Sequence, residues 1–197
     1  MSGFIVMAAF AARFDYFAAD LWVSHRLQTL DATAFDGALS WAERLSDFPL
    51  ALIAWLGSVA ILLLAQQRQA ALLLLATVLI RPANILLKEL VDRPRPSSQL
   101  VEVSRQPGDP SFPSGHTVAV VALYGFLFYL AGRLIRPLLL RMLAQAACVY
   151  VIAFTAMERI HRGHHWFSDI YGGALFAGLY LALLIRIWQK PRHLGQR

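Results

Sequence analysis

His165 and Asp169 stand four residues apart, so on a helix they share one face. In that geometry the carboxylate accepts from one ring nitrogen, fixes the tautomer, and leaves the other nitrogen as a nucleophile. Arg159 adds a cation six residues before His165, with Gly163 between them. Lys88 ends an apolar stretch, and Arg95 follows seven residues later between Pro94 and Pro96. Proline on both sides stiffens the backbone that presents the guanidinium. A fixed guanidinium beside a flexible ammonium suits a tetrahedral oxyanion such as phosphate. The third patch, Phe112-Pro-Ser-Gly-His-Thr117, opens an apolar run. Ser114 reads as a helix N-cap, and Gly115 lets a ligand approach the backbone closely. The first amides of that helix favour an anion, and His116 lies beside the same spot.

Each patch also has a plainer reading. Lys88 and Arg95 can snorkel to a membrane interface, Pro-Ser can open any helix, and Glu158–Asp169 can be a polar loop with ion pairs. His161, His164, His165 and Asp169 have spacings of three to five residues that also permit a metal site. A metal there leaves Lys88, Arg95, Arg159 and the helix start without a task, and a dense cluster of cations repels a divalent ion.

The elements that must position these residues are membrane helices. The chain has 197 residues, 58% hydrophobic and 15% charged, with mean hydropathy +0.53. A soluble domain carries about 25% charged residues, so a bilayer is the expected solvent. The net charge is +6, but the basic residues flank or interrupt apolar runs and form no extended face, which excludes nucleic acid as a partner. The single cysteine, Cys148, rules out an intrachain disulfide and a CxxC metal site, and reads as a small buried apolar residue.

A span needs roughly 20 apolar residues. Five stretches meet this: about Pro49–Ala65, Ala70–Leu87, Thr117–Ala131, Leu138–Met157 and Ile170–Trp188. The short link Gln66–Gln69 makes the first two an antiparallel hairpin. A sixth crossing is expected near the N-terminus, although Arg13, Asp15 and Asp20 interrupt it. No Lys or Arg precedes the short run Gly3–Ala12, so it reads as part of a first span or a membrane-surface helix rather than a secretory signal. From Asp20 to Phe48, apolar residues at helical spacing (Phe35, Leu39, Ala42) mix with charges, and Trp22 and Trp41 suit the headgroup region. Arg68, the Arg133–Arg141 turn and the tail with Lys190, Arg192 and Arg197 fall on one side, which reads as cytoplasmic. The three patches fall on the other side, toward the periplasm or exterior of a bacterial plasma membrane. Arg81, two turns inward of Lys88, is expected to line a substrate cavity or pair with a carboxylate. Gly172, Gly173 and Gly178 suit close helix packing.

Taken together, Lys88-x6-Arg95-Pro96, Pro113-Ser-Gly-His116 and Arg159-x5-His165-x3-Asp169 resemble the tripartite signature of the type 2 phosphatidic acid phosphatase and vanadium haloperoxidase superfamily. The likeness covers about Pro49 to Trp188. One departure is Glu158, where the family has serine before the third-motif arginine; a carboxylate there buttresses Arg159 or repels substrate.

The resemblance implies an all-α polytopic transmembrane bundle with its active site on the outer membrane-face loops. Residues 1–48 are then an N-terminal membrane-associated segment, 49–190 the phosphatase bundle and 191–197 a basic tail. It further implies a lipid phosphatase without a cofactor. Lys88, Arg95 and Arg159 would bind phosphate oxygens, helped by Ser114 and the Gly115 and His116 amides. His165 would attack to give a phosphohistidine, His116 would protonate the leaving group and then activate water, and Asp169 would orient His165. The substrate would be a membrane lipid phosphomonoester or pyrophosphate: phosphatidate, phosphatidylglycerol phosphate or a polyprenyl pyrophosphate. Trp166 and Phe167 would sit at the bilayer boundary. The alternatives are a vanadium-dependent haloperoxidase, against which the membrane composition argues, and a non-catalytic lipid-phosphate binder or transporter, against which the intact His116, His165 and Asp169 argue.

Overall fold

The structure, a computed structural model, describes residues 2–30 and 32–189, and the side chains of all of these except 32–35. The expected tail 191–197 lies outside them. The described residues form helices and no strand: α1 (Ser2–Ala11), α2 (Ala18–Gln28), α3 (Ala32–Ser46), α4 (Phe48–Leu64), α5 (Arg68–Ala76), a 3₁₀ turn (Thr77–Leu79), α6 (Ile80–Val91), α7 (Gly115–Leu134), α8 (Leu138–His161) and α9 (Phe167–Gln189). Four segments are long and apolar enough to cross a membrane: Arg68–Val91, Gly115–Leu134, Leu138–His161 and Phe167–Gln189. A fifth crossing exists if Asp36–Ser46 and Phe48–Leu64, bent by 62° at their junction, count as one. The expected sixth is not met by α1, whose 10 residues rise about 15 Å, half a hydrocarbon core.

Helix α7 is central and packs on α5, α6, α8 and α9. Leu74, Val120, Phe126, Val151 and Leu184 fill the space between them. The outer surface is apolar as well: Ile53, Leu64, Leu72 and Leu139 are exposed there, as lipid-facing side chains must be.

Inside a bilayer each freed backbone carbonyl needs an internal donor. Pro82 has no N–H and cannot continue the helical ladder, and the chain tightens into the 3₁₀ turn just before it. Side-chain donors reach the carbonyls just before this turn. Leu74 O accepts from Trp55 Nε1 (2.9 Å) and Thr77 Oγ1 (2.6 Å), and Ala76 O accepts from Tyr180 Oη (2.6 Å). The α4–α5 hairpin turns at Gln66, whose φ is +59°, with Gln67 N–H bonded to Leu62 O at 2.8 Å in a Schellman closure.

Two sequence expectations change here. Arg81 is exposed on the flank of α6, while buried Asn84 and Lys88 form that helix's inward face. Gly178 has no atom within 4 Å of where a Cβ would lie, so it serves no tight packing. Gly172 and Gly173 do: a Cβ on Gly172 would meet the Phe112 ring at 2.3 Å, and one on Gly173 would meet Ser114 O at 3.0 Å and Thr117 Cβ, in the first turn of α7, at 3.2 Å. Leu39 and Ala42 are buried on α3 as their spacing predicts; Phe35's side chain lies outside the described residues. Trp22 and Trp41 are exposed, with Arg26 and Arg44 over their rings.

Candidate active site

The three sequence-distant patches meet at one end of the bundle. Helix α8 ends at His161, and the chain folds back so that the His164 and His165 amides both donate to Arg159 O (2.9 and 3.2 Å). Gly163 makes this turn possible. Its φ is +66°, and a Cβ would lie 2.1 Å from Glu102 O. His165 therefore precedes α9 instead of lying on it, and the same-face argument for His165 and Asp169 does not apply. Asp169 reaches back by another route. It is the third residue of α9, and its Oδ2 accepts the Trp166 amide at 2.8 Å, half of a capping box. That turn brings Oδ2 to 3.5 Å from His165 Nδ1. Ser111 Oγ also donates to Oδ2 and lies 3.4 Å from Nδ1.

The other ring nitrogen faces Arg95, whose NH1 is 3.2 Å from His165 Nε2. A guanidinium only donates, so Nε2 must present its lone pair and Nδ1 must carry the proton toward Asp169. Arg95 also donates to His164 O at 2.6 Å. Lys88 joins through Asp109, whose carboxylate bridges Lys88 Nζ (2.6 Å) and Arg95 NH2 (2.8 Å). The Phe112–Thr117 patch docks beside them. Ser114 N–H donates to Asp169 O (3.1 Å), Ser114 Oγ accepts from Thr117 and caps α7, and a Cβ on Gly115 would come within 3.9 Å of Lys88 Cε. Ser114 is fully buried, and its amide is committed to Asp169, which leaves the Gly115 and His116 amides as the outward-facing donors of the first turn.

Arg159 closes the group. Its NH1 is 3.4 Å from His164 Nδ1, and its NH2 is 3.6 Å from Asp47 Oδ1, which lies 3.5 Å from His116 Nε2. Glu158 is buried between Arg159 Nε (2.5 Å) and Arg162 Nε (2.8 Å), turned toward the arginines as a buttress. All eight candidates, Lys88, Arg95, Ser114, Gly115, His116, Arg159, His165 and Asp169, thus belong to one connected cluster. A cavity of about 580 Å³ lies to the side, between Asp36 and Ser40 of α3, Ser104 and Arg162, and none of the eight lines it.

The match to known proteins follows the same segments. The PAP2 superfamily model covers residues 68–193. The chain belongs to the PAP2 superfamily. The fold of this PAP2 protein is that of a transmembrane PAP2-type phosphatidylglycerolphosphate phosphatase from Bacillus subtilis, whose crystal structure it matches with TM-score 0.79 and 18% identity over 98% of both chains. No curated protein matches it in sequence. It is an integral membrane protein.

Electrostatics of the PAP2 site keep the His164 and His165 imidazoles neutral. Burial, followed by the Arg95 and Lys88 charges, outweighs Asp169 and pushes His165 down to about 4. Burial and Arg159 push His164 down to about 4. Asp109 is lowered as well, which for an acid keeps it charged: burial raises it, but the Lys88 hydrogen bond and the Lys88 and Arg95 charges win and hold it at about 2.

Sequence reasoning missed several members of this cluster. Asp47 and Glu43 come from the N-terminal membrane-associated segment, and Asp109 and Ser104 from the loop between Pro96 and Phe112. Only His164, adjacent to His165 and five residues after Arg159, carried a signal that could have marked it. Trp166 is also not at the bilayer boundary. It is 1% exposed and packs on Tyr16 at 5.6 Å, because its amide must stay on Asp169; Phe167, next to it, is exposed.

Proposed function

We propose that this PAP2 protein hydrolyses the terminal phosphate of a membrane lipid, a phosphomonoester or pyrophosphate, through a phosphohistidine on His165. The observation that carries the reading is the orientation of His165: Nδ1 toward Asp169, and Nε2, with its lone pair, toward the Arg95 guanidinium. A phosphate held by Arg95 would have its phosphorus next to that lone pair. Lys88, Arg95 and Arg159 neutralise the equatorial oxygens, where phosphoryl transfer concentrates charge, and the Gly115 and His116 amides add donors from the α7 N-terminus. Ser114 fixes that helix start. His165 Nε2 attacks phosphorus and the bond to the leaving oxygen breaks, with His116 supplying the proton. His116 then takes a proton from water, which attacks phosphorus and frees His165. These three cations supply the positive charge, so the reaction as proposed runs without a metal.

Phosphatidylglycerol phosphate is the first substrate to try, on the strength of the structural neighbour, beside phosphatidate and a polyprenyl pyrophosphate. The site would face the periplasm, and lipid would enter laterally between helices. Phosphate release by the purified protein across these three lipids tests the reading, with His165→Ala alongside. Wild type should form an alkali-stable, acid-labile phosphoprotein that His165→Ala lacks. Equal phosphate release by the two proteins refutes the mechanism.

A further inference from the structure

Asp20, which interrupts the first apolar stretch, is wholly buried, as are Arg93 and Asp169, at 0%, 1% and 0% exposure. Asp20 is the third residue of α2, and its Oδ2 accepts the Phe17 amide at 2.9 Å, the same device by which Asp169 closes the start of α9. Its carboxylate also takes Ser168 N–H (2.8 Å), Ser168 Oγ–H (2.8 Å) and Arg93 NH2 (3.0 Å). Arg93 in turn donates from NH1 to Asp169 Oδ1 (2.7 Å) and Ser168 Oγ (2.7 Å), and from Nε to Phe14 O (3.2 Å), with its guanidinium 4.8 Å above the Phe17 ring.

We propose that Asp20 and Arg93 are positioning residues for the His165–Asp169 pair: Asp20 locks Arg93, and Arg93 holds Oδ1 of Asp169 so that Oδ2 stays aimed at His165 Nδ1. The inference rests on His165 being the nucleophile. Arg93 and Arg95 are two apart on an extended, proline-flanked segment, so both side chains leave on one side. They bracket the pair from opposite ends, Arg95 at Nε2 of His165 and Arg93 at the far oxygen of Asp169. Stability alone gives little reason for such an arrangement, because a buried ion network is often no more stabilising than apolar side chains of the same volume. A lone carboxylate turns easily about its terminal torsion, and this network removes that freedom. Asp20 lies outside residues 68–193, so the N-terminal segment supplies part of the catalytic geometry as well as an apolar surface.

The test uses the full chain in mixed micelles, with phosphate release from phosphatidylglycerol phosphate or phosphatidate. Folded Arg93→Gln should lower kcat about 100-fold with KM within about twofold, as misplacement of a reacting group does. Arg93→Lys should recover about tenfold of that loss, and Asp20→Asn should lower kcat about tenfold. If removing a buried charge prevents folding, Ser168→Ala decides, since it keeps every charge and removes only the hydroxyl between them; kcat should then fall about threefold at constant KM. An unchanged kcat, a loss confined to KM, or no difference between Arg93→Lys and Arg93→Gln overturns the positioning role. His165→Ala is the separate control: activity there overturns the nucleophile assignment itself, whereas an inactive His165→Ala beside a fully active, folded Arg93→Gln overturns only the role of Arg93 and Asp20.

Discussion

Asp109 holds Lys88 and Arg95 on one carboxylate, so a substrate phosphate must compete with it for both cations. Its carboxyl, lowered from 3.8 to about 2, has gained ~2.4 kcal/mol from its surroundings at about 1.36 kcal/mol per pH unit. The Asp109 side chain is 54% exposed, however, and exposed ion pairs are screened to roughly a kilocalorie or less. Discounted in that way, the competition amounts to about 1 kcal/mol, or about fivefold in affinity. Asp109→Asn removes the charge and keeps the shape. KM for a lipid phosphate in mixed micelles should fall about fivefold, and the inhibition constant of inorganic phosphate should fall by the same factor, with kcat within about twofold of wild type. Because Asp109 stays ionised down to about pH 2, the effect should be constant from pH 5 to 8. A rise in KM, or a tenfold loss of kcat, would refute the reasoning and show that Asp109 holds the cations in place rather than competing for them.

The imidazoles and the turn give further expectations. His116→Ala should lose about 10³-fold or more in kcat on a lipid alkoxide leaving group but far less on p-nitrophenyl phosphate, whose leaving group needs no proton; equal losses would remove His116 from the acid role. Gly163→Ala forces a side chain into a left-handed backbone and against Glu102 O, and should lower stability by about 2 kcal/mol or more, read as a clear drop in thermal midpoint. His164 and His165, both near 4 in the folded protein against about 6.5 unfolded, take up protons only on unfolding between those values. Their contribution to stability is therefore full above pH 6.5 and lost as pH falls toward 4. Midpoints measured from pH 7.5 to 4.5 should drop across that window, and a flat profile would contradict the buried neutral imidazoles.

The apolar runs of α4 to α9 were legible because a helix in lipid must satisfy its own backbone, which makes length and hydropathy nearly sufficient to find it. The three motifs were legible because each joins unusual residue types to a helix end: Lys88 at the close of α6, Ser114 at the cap of α7, His165 ahead of α9. What stayed hidden were the partners of those residues. Asp20 and Asp47 are single carboxylates in a charged N-terminal stretch, and nothing local separates a buried one from an exposed one. Asp20 is 0% exposed, while the Asp47 side chain is 47% exposed.

The amino-acid order alone therefore determined the class of solvent, the helical segments and the kinds of chemistry on hand, since hydropathy, capping and proline effects act over a few residues. Which tautomer His165 adopts, which carboxylates hold Arg93, Arg95 and Lys88, and that Gly172 seats the Phe112 ring were decided by packing. Those contacts join residues as far apart as 20 and 168, and a buried charge takes whatever partner the fold brings within about 3 Å of it.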